Sequence, residues 1–365
     1  MDKKNRNIDE DNKKSNKSMN NDIGSKKKKV KNIKTKKKKF SFKLLIEFIV
    51  FELFFTAITV PITLLYGPFE TAKKAFVGTA MGSMHYQWLA KTFLSQKEID
   101  KIIGKTETKT AKQNNSLIKV NSSENDITKV ERQTIEGDNY TGIALIISNP
   151  YKVHVGVSQK LGCVTGKDTG EGQKTSQIAK AYDAIAAING GSFTDDPNAA
   201  RWTQNGGNPQ GIIISKGKTL YSDVDRYNTE LDVAAIGSDG KLIVGKHTLE
   251  ELENNNVQDA LNFGPALIID GKKQSVQDVG NRPKTLIGQR ADGAIVLVVL
   301  DAKSGSEFSA SITEAQDVME TLNCINATNL DGGKSTTMYY DGKIINNPTF
   351  ATGERKIASG FIVEK

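Results

Sequence analysis

K-T-L-I-G-Q-R-A-D-G-A-I-V-L-V-V-L-D, residues 284–301, holds two apolar runs joined by Asp292-Gly293. An Asp-Gly pair between apolar runs marks a tight hairpin, because both residues tolerate the positive φ that a two-residue turn of the right twist demands. The second run, 295–300, is short enough for a buried strand and too short for a core helix. The same pair recurs at Asp239-Gly240, Asp270-Gly271 and Asp341-Gly342, between or beside further short apolar runs at 143–147, 212–214, 233–236 and 266–269. Strands joined by two-residue turns are antiparallel neighbours. Fewer helices are expected, at 176–182, 249–255 and 311–323, the last opened by Ser311 and Thr313 with Glu314 close behind. The fold class is therefore α+β: a mixed, largely antiparallel sheet domain with a few helices over residues 127–365. It is preceded by a single transmembrane helix, and there is no internal repeat.

Outward from that domain the composition changes twice. Residues 1–39 carry 16 Lys/Arg against 5 Asp/Glu, a net +11 in a chain of formal charge +8, which leaves −3 for everything after them. The basicity belongs to a tail with almost no apolar residue, which cannot bury enough surface to fold. A mildly acidic globular part has no electrostatic footprint for a polyanion, so nucleic acid is excluded as a partner. The run 44–66 then holds 17 apolar residues of 23 and no Lys or Arg. As a helix it reaches roughly 34 Å, sufficient for a hydrocarbon core of about 30 Å. Glu47 and Glu52 lie in its N-terminal half, Glu47 within reach of Lys43 at the interface. The lysine-rich flank stays in the cytoplasm by the positive-inside rule, against anionic headgroups, which places everything after Tyr66 outside the cell membrane. The run is longer than a signal h-region and no A-x-A-like cleavage spacing follows it, so a retained single-pass anchor over 40–66 is expected.

After the anchor, Phe76, Val77, Ala80, Met81, Met84, Trp88, Leu89 and Phe93 recur at three and four, predicting a membrane-proximal helical stalk over 67–104. Met81, Met84, His85 and Trp88 belong to that packing stripe rather than to a cofactor box. Residues 105–126, rich in Lys, Thr, Asn and Ser, are expected to be a linker. Cys163 and Cys324 are too few for a disulfide scaffold and lack zinc spacing; both suit buried apolar sites, and a single bridge between them stays open. The histidines, His85, His154 and His247, stand singly, which argues against a His-rich metal centre.

Chemistry concentrates in three glycine-marked clusters. The first is I-N-G-G-S-F, 188–193, followed by Thr194, Asp195 and Asp196. Its paired glycines let backbone amides approach a ligand, where an ordinary turn is the plain alternative. The second is N-R-P-K-T-L-I-G, 281–288, with two cations at the start of a strand, a fork and a point charge suited to an oxyanion. The third, N-L-D-G-G-K-S-T-T-M, 329–338, brings a carboxylate and a hydroxyl run to a strand end, with Asn346-Asn347-Pro348 and Glu354-Arg355 beyond. It lacks the P-loop spacing, and Ser335 is in no G-x-S-x-G elbow. Its plain alternative is a glycine-softened turn with solvated hydroxyls.

In this order the three clusters resemble the phosphodiester glycosidase family, bacterial membrane-anchored members of which are associated with exopolysaccharide biosynthesis. The resemblance implies hydrolysis of a sugar-1-phosphodiester between the anomeric carbon and the phosphate oxygen. The positions it carries over are Asn189, Gly190, Gly191 and Phe193; Thr285 and Gly288; and Asn329, Asp331, Gly332, Gly333, Ser335, Thr336, Asn346, Glu354 and Arg355. Two positions depart from its pattern. Lys284 stands where arginine is usual, with Arg282 two residues earlier, and Lys334 stands where a further glycine is common. A phosphate diester leaves as a weak base, so the site needs a carboxylate at the sugar and cations or N–H donors at the phosphate more than a strong general acid. Asp331 is expected as the principal carboxylate, Asp301 or Glu354 as its partner, and Arg282, Lys284 and Arg355 as phosphate holders. Two other readings stay open. One is a non-catalytic module that binds an anionic glycan or supports polymer assembly. The other is a phosphodiesterase with a divalent metal held by Asp195, Asp196, Asp301 and Asp331; the glycosidase reading needs no cofactor.

Overall fold

The computed structural model describes residues 41–81, 86–103, 113–195, 204–277, 280–303 and 309–365. The basic tail 1–39, Met84 and His85, residues 105–112 of the expected linker, and Asp196 lie outside the described residues. Residues up to Ile58 form one unit and Thr59–Lys365 the other. The apolar run is a single helix, Phe42–Tyr66, long and apolar enough to cross a membrane. Within it Lys43 Nζ stands 3.8 Å from the Glu47 carboxylate, the pairing expected near its N-terminus.

Within the segment expected to be a helical stalk the helices are Glu70–Met81, Gln87–Lys91 and Gln96–Ile103. A local signal overrides the periodicity at the last of them. Ser95 and Glu98 form a capping box, the Ser95 N–H donating to Glu98 Oε2 (2.8 Å) and Glu98 N–H to Ser95 Oγ (3.3 Å), which starts a new helix. The three helices bury Val77, Ala80, Ala90, Leu94 and Ile99 among themselves, together with Leu65. Trp88 is not in that stripe: it is 60% exposed.

Residues 113–126 are also not a linker, because polar side chains there fasten them to the domain. Gln113 Nε2 donates to Leu242 O (2.7 Å) and its Oε1 accepts from Val244 N–H (3.0 Å), standing in for a neighbour on the outer edge of the Leu242–His247 strand. The Asn114 N–H donates to the Asp270 carboxylate, and Ile118 is buried. The segment was misread because its anchors are amides rather than large apolar residues.

Among the described residues three main sheets and two two-stranded ones make the domain, and every pairing within them is antiparallel. The seven-stranded sheet runs in the order Val130–Glu136, Tyr140–Ile147, Ile295–Ala302, Lys284–Arg290, Cys324–Leu330, Ala266–Ile269, Lys272–Lys273. A five-stranded sheet orders Leu242–His247, Leu231–Gly237, Val257–Asn262, Ile212–Ser215, Lys218–Ser222, and another orders Lys343–Ile344, Met338–Tyr340, Ala186–Asn189, Ser359–Val363, Val153–Val157. Each predicted Asp-Gly pair joins antiparallel neighbours, with positive φ at both residues of Asp270-Gly271 (53° and 73°) and Asp341-Gly342 (47° and 85°). Leu145, Ile287 and Leu297 of the large sheet meet Ile188, Ile213, Leu261 and Phe361 of the other two in one core. The helix Ile312–Thr321, capped by Ser311 with Glu314, covers the opposite face of the large sheet through Ala315 and Met319. Ile295–Ala302 is thereby buried on both faces, which is why its sequence is apolar without alternation. Cys324 is buried beside that helix, Cys163 is exposed, and both thiols are free.

The register decides where the site forms. Thr285 lies opposite both Val299 and Leu330, so the start of Lys284–Arg290 and the ends of Ile295–Ala302 and Cys324–Leu330 share one edge of the large sheet. Asp301 and Asp331 belong to strands two apart there, about 10 Å in the hydrogen-bonding direction.

Candidate active site

Asn189 closes its strand wholly buried and ties the three clusters together. Its Oδ1 accepts from Thr285 Oγ1 (2.8 Å) and from the Thr337 N–H (3.0 Å), while its Nδ2 donates to the Asp331 carbonyl oxygen. The Asp331 N–H in turn donates to Gly190 O at 2.9 Å. The D-G-G turn that follows is pressed onto the second cluster. A Cβ on Gly332 would stand 2.6 Å from Pro283 O, which also accepts from the Gly333 N–H at 2.7 Å, and Gly333 has φ +61°. These two positions need glycine to let the turn sit there.

Ser335, Thr336 and Thr337 are 1%, 1% and 0% exposed, so the hydroxyl run is not the solvated face of a turn. Thr337 Oγ1, Ser359 Oγ, Asn329 Oδ1 and Arg355 Nε are buried without a hydrogen-bond partner among the described residues, and Ser335 Oγ, equally buried, faces the Asp331 carboxyl alone. A buried polar atom left unpaired costs about 1–3 kcal/mol, so their gathering in one region marks a place that a ligand completes.

Two charged groups stand in that region. Burial pushes the Asp331 carboxyl up to about 6, against the pull of the Ser335 hydroxyl, the Arg355 charge and the Gly332 N–H. The Arg355 guanidinium lies 4.9 Å over the Phe193 ring, with one nitrogen 3.5 Å from Asp195 Oδ2. An aromatic face under a guanidinium fixes its plane, and a planar fork held in this way suits an oxyanion.

Asp301 reaches the same network from the other side. Its oxygens accept from Asn346 Nδ2 and the Asn347 N–H, both at 2.9 Å, and burial raises its carboxyl against those bonds. Asn346 Nδ2 also donates to Thr336 O, and Asn346 Oδ1 accepts from the Met338 N–H. Hydrogen bonds therefore run from Asp301 through Asn346 to the segment that carries Asp331. Asp301 lines a cleft of about 320 Å³ with Arg132, Thr134, Thr141, Asn346 and Asn347.

Several expected contacts are placed elsewhere. Lys284 Nζ, buried, donates to the carbonyls of Arg282 and Ala310 (2.8 Å each) and of Gly280 (3.4 Å), which suits a structural ammonium rather than a phosphate holder. Arg282 donates to Thr79 O (3.1 Å) in the helical unit. Glu354 accepts from the N–H and hydroxyl of Ser176 at the start of the helix Thr175–Ala181, so its oxygens serve a helix terminus instead of partnering Asp331. Asn189, Thr285 and Asn346 hold other groups in place, and Asn329 Nδ2 donates to Gly264 O. Of the four aspartates in the metal reading, Asp196 is not described, Asp195 faces Arg355 and the Gly206 N–H, and Asp301 faces two asparagines. No three His, Cys, Asp or Glu side chains converge among the described residues. Arg132 and Ser359 were missed, since each stands in a strand with no motif around it.

The family model for phosphodiester glycosidase matches residues 182–364, which contain all three clusters. The SPbeta prophage-derived uncharacterized protein YomE of Bacillus subtilis (strain 168) is 29% identical over 180 residues. That match covers 47% of this chain and 26% of the relative, so the chain spans about a quarter of that protein's length. Among solved structures, the zebrafish N-acetylglucosamine-1-phosphodiester alpha-N-acetylglucosaminidase catalytic domain, auto-inhibited by its pro-peptide, has a TM-score of 0.53 at 19% identity. The match covers 67% of this chain and 86% of that one, and it shows a common fold. A hypothetical protein from Synechocystis has a TM-score of 0.46 at 14% identity, over 65% of this chain and 62% of its own.

Proposed function

Since the chain belongs to the phosphodiester glycosidase family, we propose that it hydrolyses sugar-1-phosphodiesters, with Asp331 at the sugar and Arg355 at the phosphate. The observation that carries this is the half-buried Asp331 carboxyl at the D-G-G turn beside Arg355, whose guanidinium is stacked on Phe193 and whose buried Nε has no partner. Ionised Asp331 takes the proton of the water that attacks the anomeric carbon. The bond from that carbon to the phosphate oxygen breaks, and the phosphomonoester departs with its charge matched by Arg355. Such a base is active when ionised, so kcat/KM rises with pH through about 6 and then levels. Asp301, with Asn346, positions the Thr336 segment.

The same reading places the enzyme at a surface: Phe42–Tyr66 spans the bilayer, the lysine tail is cytoplasmic, and the domain faces outward to act on cell-surface, exopolysaccharide-type phosphodiesters. The test is incubation of the protein and of Asp331→Asn with a panel of sugar-1-phosphate diesters. Free reducing sugar and a phosphomonoester, absent with the variant, are the expected products. Retention of an anionic glycan without turnover would instead favour the binding module, and a sugar phosphate lost on chelation would favour a metal-dependent phosphodiesterase.

A further inference from the structure

We infer that the helical unit 70–103 lies in the lipid–water interface of the bilayer spanned by Phe42–Tyr66, and that the substrate is therefore a sugar-1-phosphodiester carried on a lipid. The inference rests on the anchor and the hydrolysis proposed above and goes on to name the substrate's attachment. Three observations lead to it. First, the end of the apolar helix is built into the unit: Leu65 is 2% exposed in its core with Val77 and Ile99, and the Tyr66 hydroxyl donates to the Phe93 carbonyl. Second, the unit exposes aromatics. Outside the apolar helix the exposed aromatic residues among those described are Phe69, Tyr86, Trp88 and Tyr227, and the first three fall within 20 residues of one another beside the anchor. Exposed rings of this kind at the end of a membrane helix sit at headgroup level, where an apolar body and a polar edge are both satisfied.

Third, the unit touches the turn that supports the site. Arg282 donates to Thr79 O at 3.1 Å, and the next residue, Pro283, is the one on which Gly332 and Gly333 rest. The chain from Tyr66 to Thr79 reaches at most about 27 Å, taking the residues before Glu70 as extended and the rest as helix. The site is thus tied by a short, folded connection to the membrane surface. A diester whose phosphate is attached to a lipid presents its scissile bond at that surface, whereas a freely soluble diester gains nothing from the arrangement.

The experiment uses the full chain in phosphatidylcholine–phosphatidylglycerol vesicles. Trp88 and Trp202 are the two tryptophans, so the difference in emission between the full chain and Trp88→Phe reports Trp88 alone. It is expected to be blue-shifted and to be quenched more by lipids spin-labelled near the headgroup than by lipids labelled at the chain end. In the same vesicles a lipid-linked sugar-1-phosphodiester should be turned over with kcat/KM about a hundredfold above its soluble counterpart, from the gain in effective concentration at a shared surface. Phe69→Ser with Trp88→Ser should keep turnover of the soluble diester and lose most of that preference. Equal rates on the two diesters, or a Trp88 emission that lipid-borne labels do not quench, overturns the inference while leaving the hydrolysis intact. Hydrolysis of neither diester would overturn the proposed function instead, and the quenching would still decide where the helical unit lies.

Discussion

Asp331→Asn separates what the site does from what it costs the fold. A carboxyl moved from 3.8 to about 6 by burial makes the folded protein pay for ionisation once the pH is above both values. The folded state then holds its proton more tightly than the unfolded chain, so stability is greatest below 3.8 and falls as pH rises through about 6. At pH 7.5 the penalty is about 3 kcal/mol, and at pH 4.5 about 1 kcal/mol. Asparagine has the same shape, keeps an acceptor for the Gly332 N–H, and carries no charge to desolvate. It also removes the charge facing Arg355, which retains Asp195, and this offsets part of the gain. A net stabilisation of about 1–2 kcal/mol is expected at pH 7.5, a rise in Tm of about 2–8 °C for a domain of this size, shrinking as the pH is lowered. Thermal unfolding of both proteins across pH 4.5–8, followed by circular dichroism and paired with turnover assays, measures it. A variant that is inactive and less stable at pH 7.5, or a difference that does not change with pH, would refute the reasoning.

Asn189→Ala leaves the Thr337 N–H and the Asp331 carbonyl without its amide and the Thr285 hydroxyl with only its longer bond to Thr336, so a loss of about 2–4 kcal/mol is expected from the denaturant midpoint, with a loss below 1 kcal/mol ruling out its tying role. Arg355→Lys keeps the charge but not the fork above Phe193, and KM for the diester should rise about ten- to a hundredfold with little change in fold; an unchanged KM would remove Arg355 from the phosphate. Lys284→Met should cost about 2–4 kcal/mol of stability by freeing buried carbonyls while KM of the folded enzyme stays within about twofold; a large KM change at unchanged stability would restore Lys284 as a phosphate holder. Thiol labelling at pH 8.5 should modify Cys163 in the native protein and Cys324, whose thiol burial pushes up to about 12, only after unfolding; two equivalents in the native state would contradict that placement.

The hairpins were legible because their cause is local: Asp270-Gly271 takes positive φ whatever surrounds it, and an apolar run on either side fixes the strands. The cap of Ile312–Thr321 was legible for the same reason, Ser311 and Glu314 being three residues apart. The fate of a charged side chain is not local. Nothing in N-R-P-K-T says that Lys284 turns onto the Ala310 carbonyl 26 residues away, or that Glu354 meets Ser176 across 178 residues. The helical character of 70–103 was legible from its apolar period, while its division into separate helices turns on local bonds such as the Ser95–Glu98 cap. The tie made by Asn189 was half visible: its motif stood out, but its partners lie 96 and 148 residues away in sequence and are brought to it by sheet register.

That tie also weighs against a bland account of the clusters. A glycine-softened turn in solvent would keep its hydroxyls wet and its carboxylate near the ordinary range. Here the hydroxyls are buried, several without partners, and Asp331 is held where charging it opposes folding. A site that only bound an anionic glycan would be better served by arginine alone, since a carboxylate that ionises near 6 repels the anion it is meant to hold. A carboxyl beside a phosphate-suited guanidinium is useful when the two act at different ends of the scissile bond, one taking the proton of the water that attacks carbon and the other matching the charge that leaves. A carboxyl raised in this way suits the proton transfer proposed for Asp331, for which a site that only binds an anion has no use.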